Sequence, residues 1–179
     1  MQKKVCRLIC WATLSYSTHL VAAMDFKYTV EGIALSPTLY VVDGDTIRLK
    51  QNGRWQRIRL VGIDAPEKDQ AFGKESTLQL AHCLQQASQI SVQWHKKDRY
   101  GRWLAKVSVD GQDCNLAQIQ SGLAWHYKQY QYDQHIQDRD IYSQAELNAR
   151  QFHYGLWKSQ CVVAPWSWRK KEFTQCESP

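Results

Sequence analysis

Four acids and three arginines in this chain are of the types and spacings that could do chemistry. Asp43 and Asp45 flank a glycine in "YVVDGDTIRLK". Asp64 and Glu67 bracket "DAPE". Arg59 lies in "RIRL", and Arg99 and Arg102 in "DRYGR". Carboxylates that converge from separate elements repel one another unless a cation sits between them. A ligand set made of oxygen suits a hard divalent ion such as Ca²⁺ or Mg²⁺ rather than Zn²⁺. Arginines beside such a site have an obvious partner in phosphate, whose oxygens match the planar guanidinium fork. Taken singly, "DGD" reads as a turn, "DAPE" as a loop and an arginine on a strand as solvated. Order and residue type together carry the inference.

Strands and turns must position these groups. Asp25 to Leu35 alternates loosely and Ser36-Pro37 breaks it. Tyr40 to Val42 and Thr46 to Lys50 are strand-like on either side of "DGD", where Asp and Gly are disfavoured within a strand. Asn52-Gly53 predicts a tight hairpin turn, after which "WQRIRLVGI" continues as strand. Leu78, Leu80, Ala81 and Leu84 are spaced for a helix over residues 75–86. "QISVQW" and "WLAKVSV" are further strands. "NLAQIQSG" is a short helix ending at Gly122, and Gln137 to Tyr154 is a longer one stopped by Gly155. About five short strands, read as antiparallel, with a helix inserted between the third and fourth, form an α+β pattern of the five-stranded OB-type β-barrel.

The chain has 179 residues, 44% of them hydrophobic, with eight Trp and nine Tyr, so it can bury a core and is not a solvated tail. No run approaches the ~20 apolar residues of a membrane span. Lys3, Lys4 and Arg7, a diluted apolar stretch and "VAA" outline a secretory signal peptide over residues 1–23. Without its three basic residues the formal charge falls from +6 to +3, a mild bias towards polyanions. Cys83, Cys114, Cys161 and Cys176 then remain, an even number suited to an oxidising compartment. Four cysteines allow three pairings. A Cys161–Cys176 bridge would staple the C-terminal stretch and leave Cys83 with Cys114, and four free thiols are the alternative.

"VVDGDTIRL", "RIRLVGIDAPE", "DRYGRWLAKV", "GLAW" and "AELNAR…GLW" resemble, in order and near spacing, the staphylococcal nuclease (thermonuclease-like) family from about Tyr40 to Trp157. The resemblance implies a five-stranded OB-type barrel with three helices and a single Ca²⁺ ion, favoured over Mg²⁺. It makes Asp45, Asp64 and the backbone carbonyl of Ala65 ligands of that ion, with Asp43 a supporting neighbour. Glu67 becomes the general base, or the group that orients the attacking water. Arg59 and Arg102 become the groups that grip the scissile phosphate. Arg99, Tyr100 and Tyr130 are placed near the nucleotide.

The expectation is therefore a secreted or periplasmic nuclease, monomeric, acting on DNA and on RNA as a further substrate. Residues 24–158 would be the catalytic domain, and residues 159–179 a tail that packs on the barrel with Cys161–Cys176 as its clip. A non-catalytic nucleic-acid-binding OB module is the alternative, and the presence of Asp45, Asp64, Glu67, Arg59 and Arg102 counts against it. Trp94, Trp103, Trp125 and Trp157 are expected in the core. The histidines His82, His95, His126, His135 and His153 show no ligand spacing.

Overall fold

Alternating side chains set up one curled sheet. The computed structural model describes residues 28–29, 32–85, 88–172 and 176–177, so the expected leader lies outside the described residues. In chain order the elements are β1 (Tyr28–Thr29), β2 (Gly32–Ser36), β3 (Leu39–Asp43), β4 (Thr46–Gln51), β5 (Arg54–Leu60), β6 (Ile63–Asp64), α1 (Gly73–Gln85), β7 (Ile90–Lys97), β8 (Trp103–Val109), β9 (Gln112–Asp113), α2 (Cys114–Gln120), β10 (Trp125–His126), α3 (Ile136–Gln151), β11 (Val162–Val163), α4 (Pro165–Arg169) and β12 (Cys176–Glu177). Short 3₁₀ turns cover Lys128–Asp133 and Gly155–Lys158.

The main sheet runs β1-β2-β3-β4-β5-β8-β7, with β9 added to β8. Inward-facing Ile33, Val41, Ile47, Ile58, Ala105 and Val107 form the centre of the core. The hairpin turn falls where expected, with Asn52 and Gly53 both at positive φ (50° and 75°). The class is the expected α+β, OB-like one, and two details differ. Extra short strands widen the sheet, and β5 pairs with β8 in parallel. Parallel neighbours need a crossover, supplied here by α1 and β7.

The three expected helices are present. α1 buries Leu80, Ala81 and Leu84 against the sheet. The Cys83–Cys114 disulfide joins the last turn of α1 to the first residue of α2. Closing a loop with a sequence separation of 31 residues stabilises the fold by about 3–4 kcal/mol in the chain-entropy account. α3 stops at Gln151, short of the expected Tyr154, and His153 turns to φ 53° two residues later. Cys161 is disulfide-bonded. The expected partner, Cys176, has a side chain that lies outside the described residues.

The C-terminal segment is more than an appended tail. Val162, Ala164 and Trp166 pack with Trp125 and Trp157 as a second apolar cluster. Trp125 (1% exposed) and Trp157 (0%) are core as expected. Trp103 is partly buried and packs against the main core. Trp94 is not core: it is 55% exposed, because β7 forms the edge of the sheet and lacks a covering layer there. Its ring instead lies 4.0 Å from that of Trp103.

Candidate active site

The turn between β3 and β4 places the first carboxylates. Gly44 is required by close packing rather than by φ: a Cβ there would lie 1.9 Å from Ser76 Oγ on α1 and 2.8 Å from the Ala65 Cβ. Gln118 of α2 donates to the Gly44 carbonyl at 2.6 Å, fixing the turn. Asp43 Oδ1 accepts the Asp45 N–H at 3.1 Å. Asp45, 7% exposed, accepts from the Thr46 hydroxyl (3.0 Å) and from the Ala65 N–H (2.8 Å).

Register brings Arg59 to the same point, since it stands opposite Thr46 on β5. Its guanidinium bridges the two aspartates, with Nη1 2.9 Å from Asp45 Oδ2 and Nη2 2.8 Å from Asp64 Oδ1. Asp64, 1% exposed, is held on β6 by pairing with Trp125 of β10.

A further arginine enters from the far end of the chain. Arg169, the last residue of α4, spans both Asp64 oxygens, with Nη1 3.2 Å from Oδ1 and Nη2 2.9 Å from Oδ2. Nη1 also lies 2.8 Å from Glu67 Oε1. Two ties hold α4 and its flanks on the loop after β6. Gln70 donates to the Val163 carbonyl at 2.6 Å while its Oε1 accepts the Glu67 N–H at 3.1 Å. The Trp168 indole donates to Asp69 at 3.3 Å. Trp166 stacks on Tyr127, centroids 5.4 Å apart and planes 4° apart.

The remaining expected residues sit on the neighbouring strand and loops. Arg59 pairs in parallel register with Leu104, so Arg102 lies two residues before that position, in the loop that leads into β8. No hydrogen bond or ion pair joins Arg102 to the carboxylates among the described residues. Asp98 instead accepts its Nε at 2.7 Å and the backbone N–H groups of Tyr100 and Arg102 at 2.9 and 3.0 Å. The Tyr100 ring, 63% exposed, faces the guanidinium groups of Arg99 (4.8 Å) and Arg102 (5.5 Å). Tyr130 is exposed and its ring lies 4.9 Å from that of Tyr127. The structure thus brings Asp43, Asp45, Arg59, Asp64, the Ala65 backbone and Glu67 together, and leaves Arg99, Tyr100, Arg102 and Tyr130 around them.

Residues 57–159 match the staphylococcal nuclease homologue family. A protein of Escherichia coli O157:H7 named an uncharacterized endonuclease is 38% identical over 133 residues, covering 74% of this chain and 82% of its own. One of the same name from Haemophilus influenzae is 39% identical over 133 residues, 74% of this chain and 71% of its own. The micrococcal nuclease of Shigella flexneri is 35% identical over 139 residues, 73% of this chain and 77% of its own.

The chain belongs to the staphylococcal nuclease family.

This family is generally metal-dependent, and the donor set here can be tested for fit. The acceptors that converge are carboxylate oxygens, the chemistry of a hard cation. Four carboxylates (Asp43, Asp45, Asp64, Glu67) meet two guanidinium groups (Arg59, Arg169), so the fully ionised cluster carries excess negative charge. The carboxyl groups register this. Asp43 is pushed up to about 7, first by desolvation and then by the neighbouring Asp45. Burial also raises Asp64, against the pull of Arg59 and Arg169. Burial works against the charge on Arg59, yet Asp45, Asp64 and Asp43 hold it above its ordinary value. Among the described residues no three acidic, histidine or cysteine side chains are arranged to hold a metal ion as they stand: Arg59 and Arg169 already bond Asp64, and the Arg169 fork must let go for that carboxylate to take another cation.

Reading the staphylococcal nuclease pattern from sequence missed Arg169, Gln70 and Asp98. Asp98 had a local signal, being an acid four residues before Arg102 in a Gly-bearing loop. Arg169 had only "PWSWRKK", whose tryptophans say that the segment packs but not where.

Proposed function

We propose that this protein is an exported, secreted or periplasmic, Ca²⁺-dependent nuclease cutting DNA and also RNA. It is a phosphodiester-cleaving hydrolase of the staphylococcal nuclease family. The observation that carries the finer reading is Arg59, held between Asp45 and Asp64 at 2.9 and 2.8 Å at the meeting point of β4, β5 and β6. Export rests on the leader-like residues 1–23 and on the Cys83–Cys114 bridge, since disulfides persist in oxidising compartments.

Asp45, Asp64 and the Ala65 carbonyl would hold the cation, whose chemistry there is Lewis-acid polarisation of a phosphoryl oxygen. Arg59 is pre-aimed by the two aspartates, so it needs little reorganisation to stabilise charge developing on the phosphoryl group. Arg102 approaches from the loop that leads into β8, its Nε fixed by Asp98 and the rest of its fork left for a second phosphate oxygen. Glu67, partly exposed, takes a proton from the attacking water or orients it. Tyr100 and Tyr130 offer exposed rings on which bases stack, which tolerates many sequences.

Purified protein incubated with single- and double-stranded DNA and with RNA, in Ca²⁺, Mg²⁺ or chelator, tests this directly. Cleavage in Ca²⁺ that stops in chelator and returns on adding Ca²⁺ is the expected result. Undiminished cleavage in chelator, or none under any condition, would overturn the reading.

A further inference from the structure

The sheet face beyond the site carries a second feature. Alternation along β3, β4 and β5 sends Val41, Ile47 and Ile58 inward and Tyr40, Arg48, Lys50, Trp55 and Arg57 to the opposite face. Register then lines them up: Tyr40 pairs with Arg48, Arg48 with Arg57, and Lys50 with Trp55. Arg59 follows Arg57 on this face of the same strand, two residues and about 7 Å further on. A cationic track therefore leads straight to the guanidinium at the candidate active site.

The track is concave and aromatic as well as basic. Tyr40, Val42, Arg48, Trp55 and Arg57 line a hollow of about 380 Å³. The Arg48 guanidinium lies 5.1 Å and the Lys50 ammonium 5.9 Å from the Trp55 ring centre, and Trp55 is 40% exposed. Among the described residues, none of Arg48, Lys50, Arg54 and Arg57 forms an ion pair with a carboxylate. The acids between residues 39 and 60 are Asp43 and Asp45, both at the active-site end. Like charges directly opposite on neighbouring strands destabilise a sheet, and among the described residues the Arg48–Arg57 pair has no ion-paired acid to offset it. A bound polyanion would.

We propose that this face binds the nucleic-acid strand flanking the cleaved phosphodiester, with Arg48 and Arg57 on backbone phosphates and a base against Trp55. The inference rests on the nuclease reading and adds an extended subsite to it. Bound strand favours a hollow that sets an accessible ring beside guanidinium groups. An anionic lipid surface would favour a flat or protruding apolar patch.

The experiment compares the parent with Arg48→Gln/Arg57→Gln and, separately, Trp55→Ala. Binding of a fluorescent single-stranded oligonucleotide of about 20 nucleotides is measured in chelator across salt concentrations, so that no cleavage is needed. Cleavage of the same strand and of a small chromogenic phosphodiester is measured in Ca²⁺. The double variant is expected to bind the strand about tenfold more weakly, with a salt slope shallower by about 1.4 for two lost phosphate contacts. Trp55→Ala is expected to weaken binding at least about fivefold, the loss of one stacked base. Turnover of the small phosphodiester is expected to stay at the parent value. Unchanged strand affinity and salt slope would overturn the subsite. So would equal losses on both substrates, or loss of binding to anionic vesicles while strand binding persists. A parent that binds the strand through these residues yet cleaves neither substrate would instead refute the nuclease reading alone.

Discussion

Arg59, five residues from Asp64 in the chain, and Arg169, 105 residues away, reach the same oxygen of Asp64 at 2.8 and 3.2 Å. Arg59 sits within the sheet. Pairing with Thr46 on one side and Leu104 on the other fixes its backbone, and its side chain is 11% exposed. Arg169 ends a five-residue helix, its side chain is 43% exposed, and its segment is held by the second apolar cluster and by side-chain ties rather than by the main sheet. The first arginine is built into the architecture. The second is delivered to it. On the proposed function, the sheet-borne group is ready for the transition state, whereas the segment-borne group can be exchanged for something else.

Removing Arg59 should produce the largest effect. A single pre-aimed donor of developing charge is worth about 3–4 kcal/mol, so Arg59→Ala is expected to slow cleavage by about 10²–10³-fold. It also leaves the buried Asp45 without a cationic partner, while Asp64 keeps Arg169, a cost of up to about 3–5 kcal/mol. Its melting temperature in chelator should therefore fall well below the parent's. Arg59→Lys keeps the charge but loses the fork, and should fall between the two. Parent-like rates in Arg59→Ala would erase the distinction between the two arginines.

Removing Arg169 should act in the opposite direction on ion binding. Arg169→Gln frees Asp64 Oδ2 and leaves Oδ1 to Arg59 alone, and Ca²⁺ measured by calorimetry without nucleic acid should bind about three- to tenfold more tightly. The figure is modest because the arginine is partly exposed and screened. Unchanged or weaker Ca²⁺ binding would show that Arg169 supports the ligands rather than competing with the ion.

Loosening the segment without touching its arginine should do least. Gln70→Ala removes two hydrogen bonds linking the Glu67 loop to Val163. About 1–2 kcal/mol is expected, or roughly 2–8 °C in melting temperature. The gain in Ca²⁺ affinity should be smaller than for Arg169→Gln. A larger gain would place control of the site in the tether.

The same contrast explains what the sequence made legible. Arg59 and Asp64 sit on strands and Asp45 in the turn just before β4, so period-two pattern and turn residues are local signals for all three. Gly44 looked like a turn residue, but its requirement comes from Ser76 on α1, a contact that no local pattern encodes. Arg169 lies 105 residues from Asp64, and its partner is set by how the second aromatic cluster packs. Trp94 was misjudged for a related reason. Alternation tells that a strand has two faces, not which face the fold leaves uncovered.

The central claim is that Asp45 and Asp64 form one cation site beside Arg59. Calcium titrated into parent, Asp45→Asn and Asp98→Asn, followed by calorimetry without nucleic acid, tests it most directly. Asp98 belongs to the Arg102 loop and serves as the control carboxylate. The account predicts one ion bound by the parent and by Asp98→Asn with equal affinity, and binding at least about tenfold weaker in Asp45→Asn, the loss of one charged ligand. Equal affinity in Asp45→Asn and the parent would contradict it.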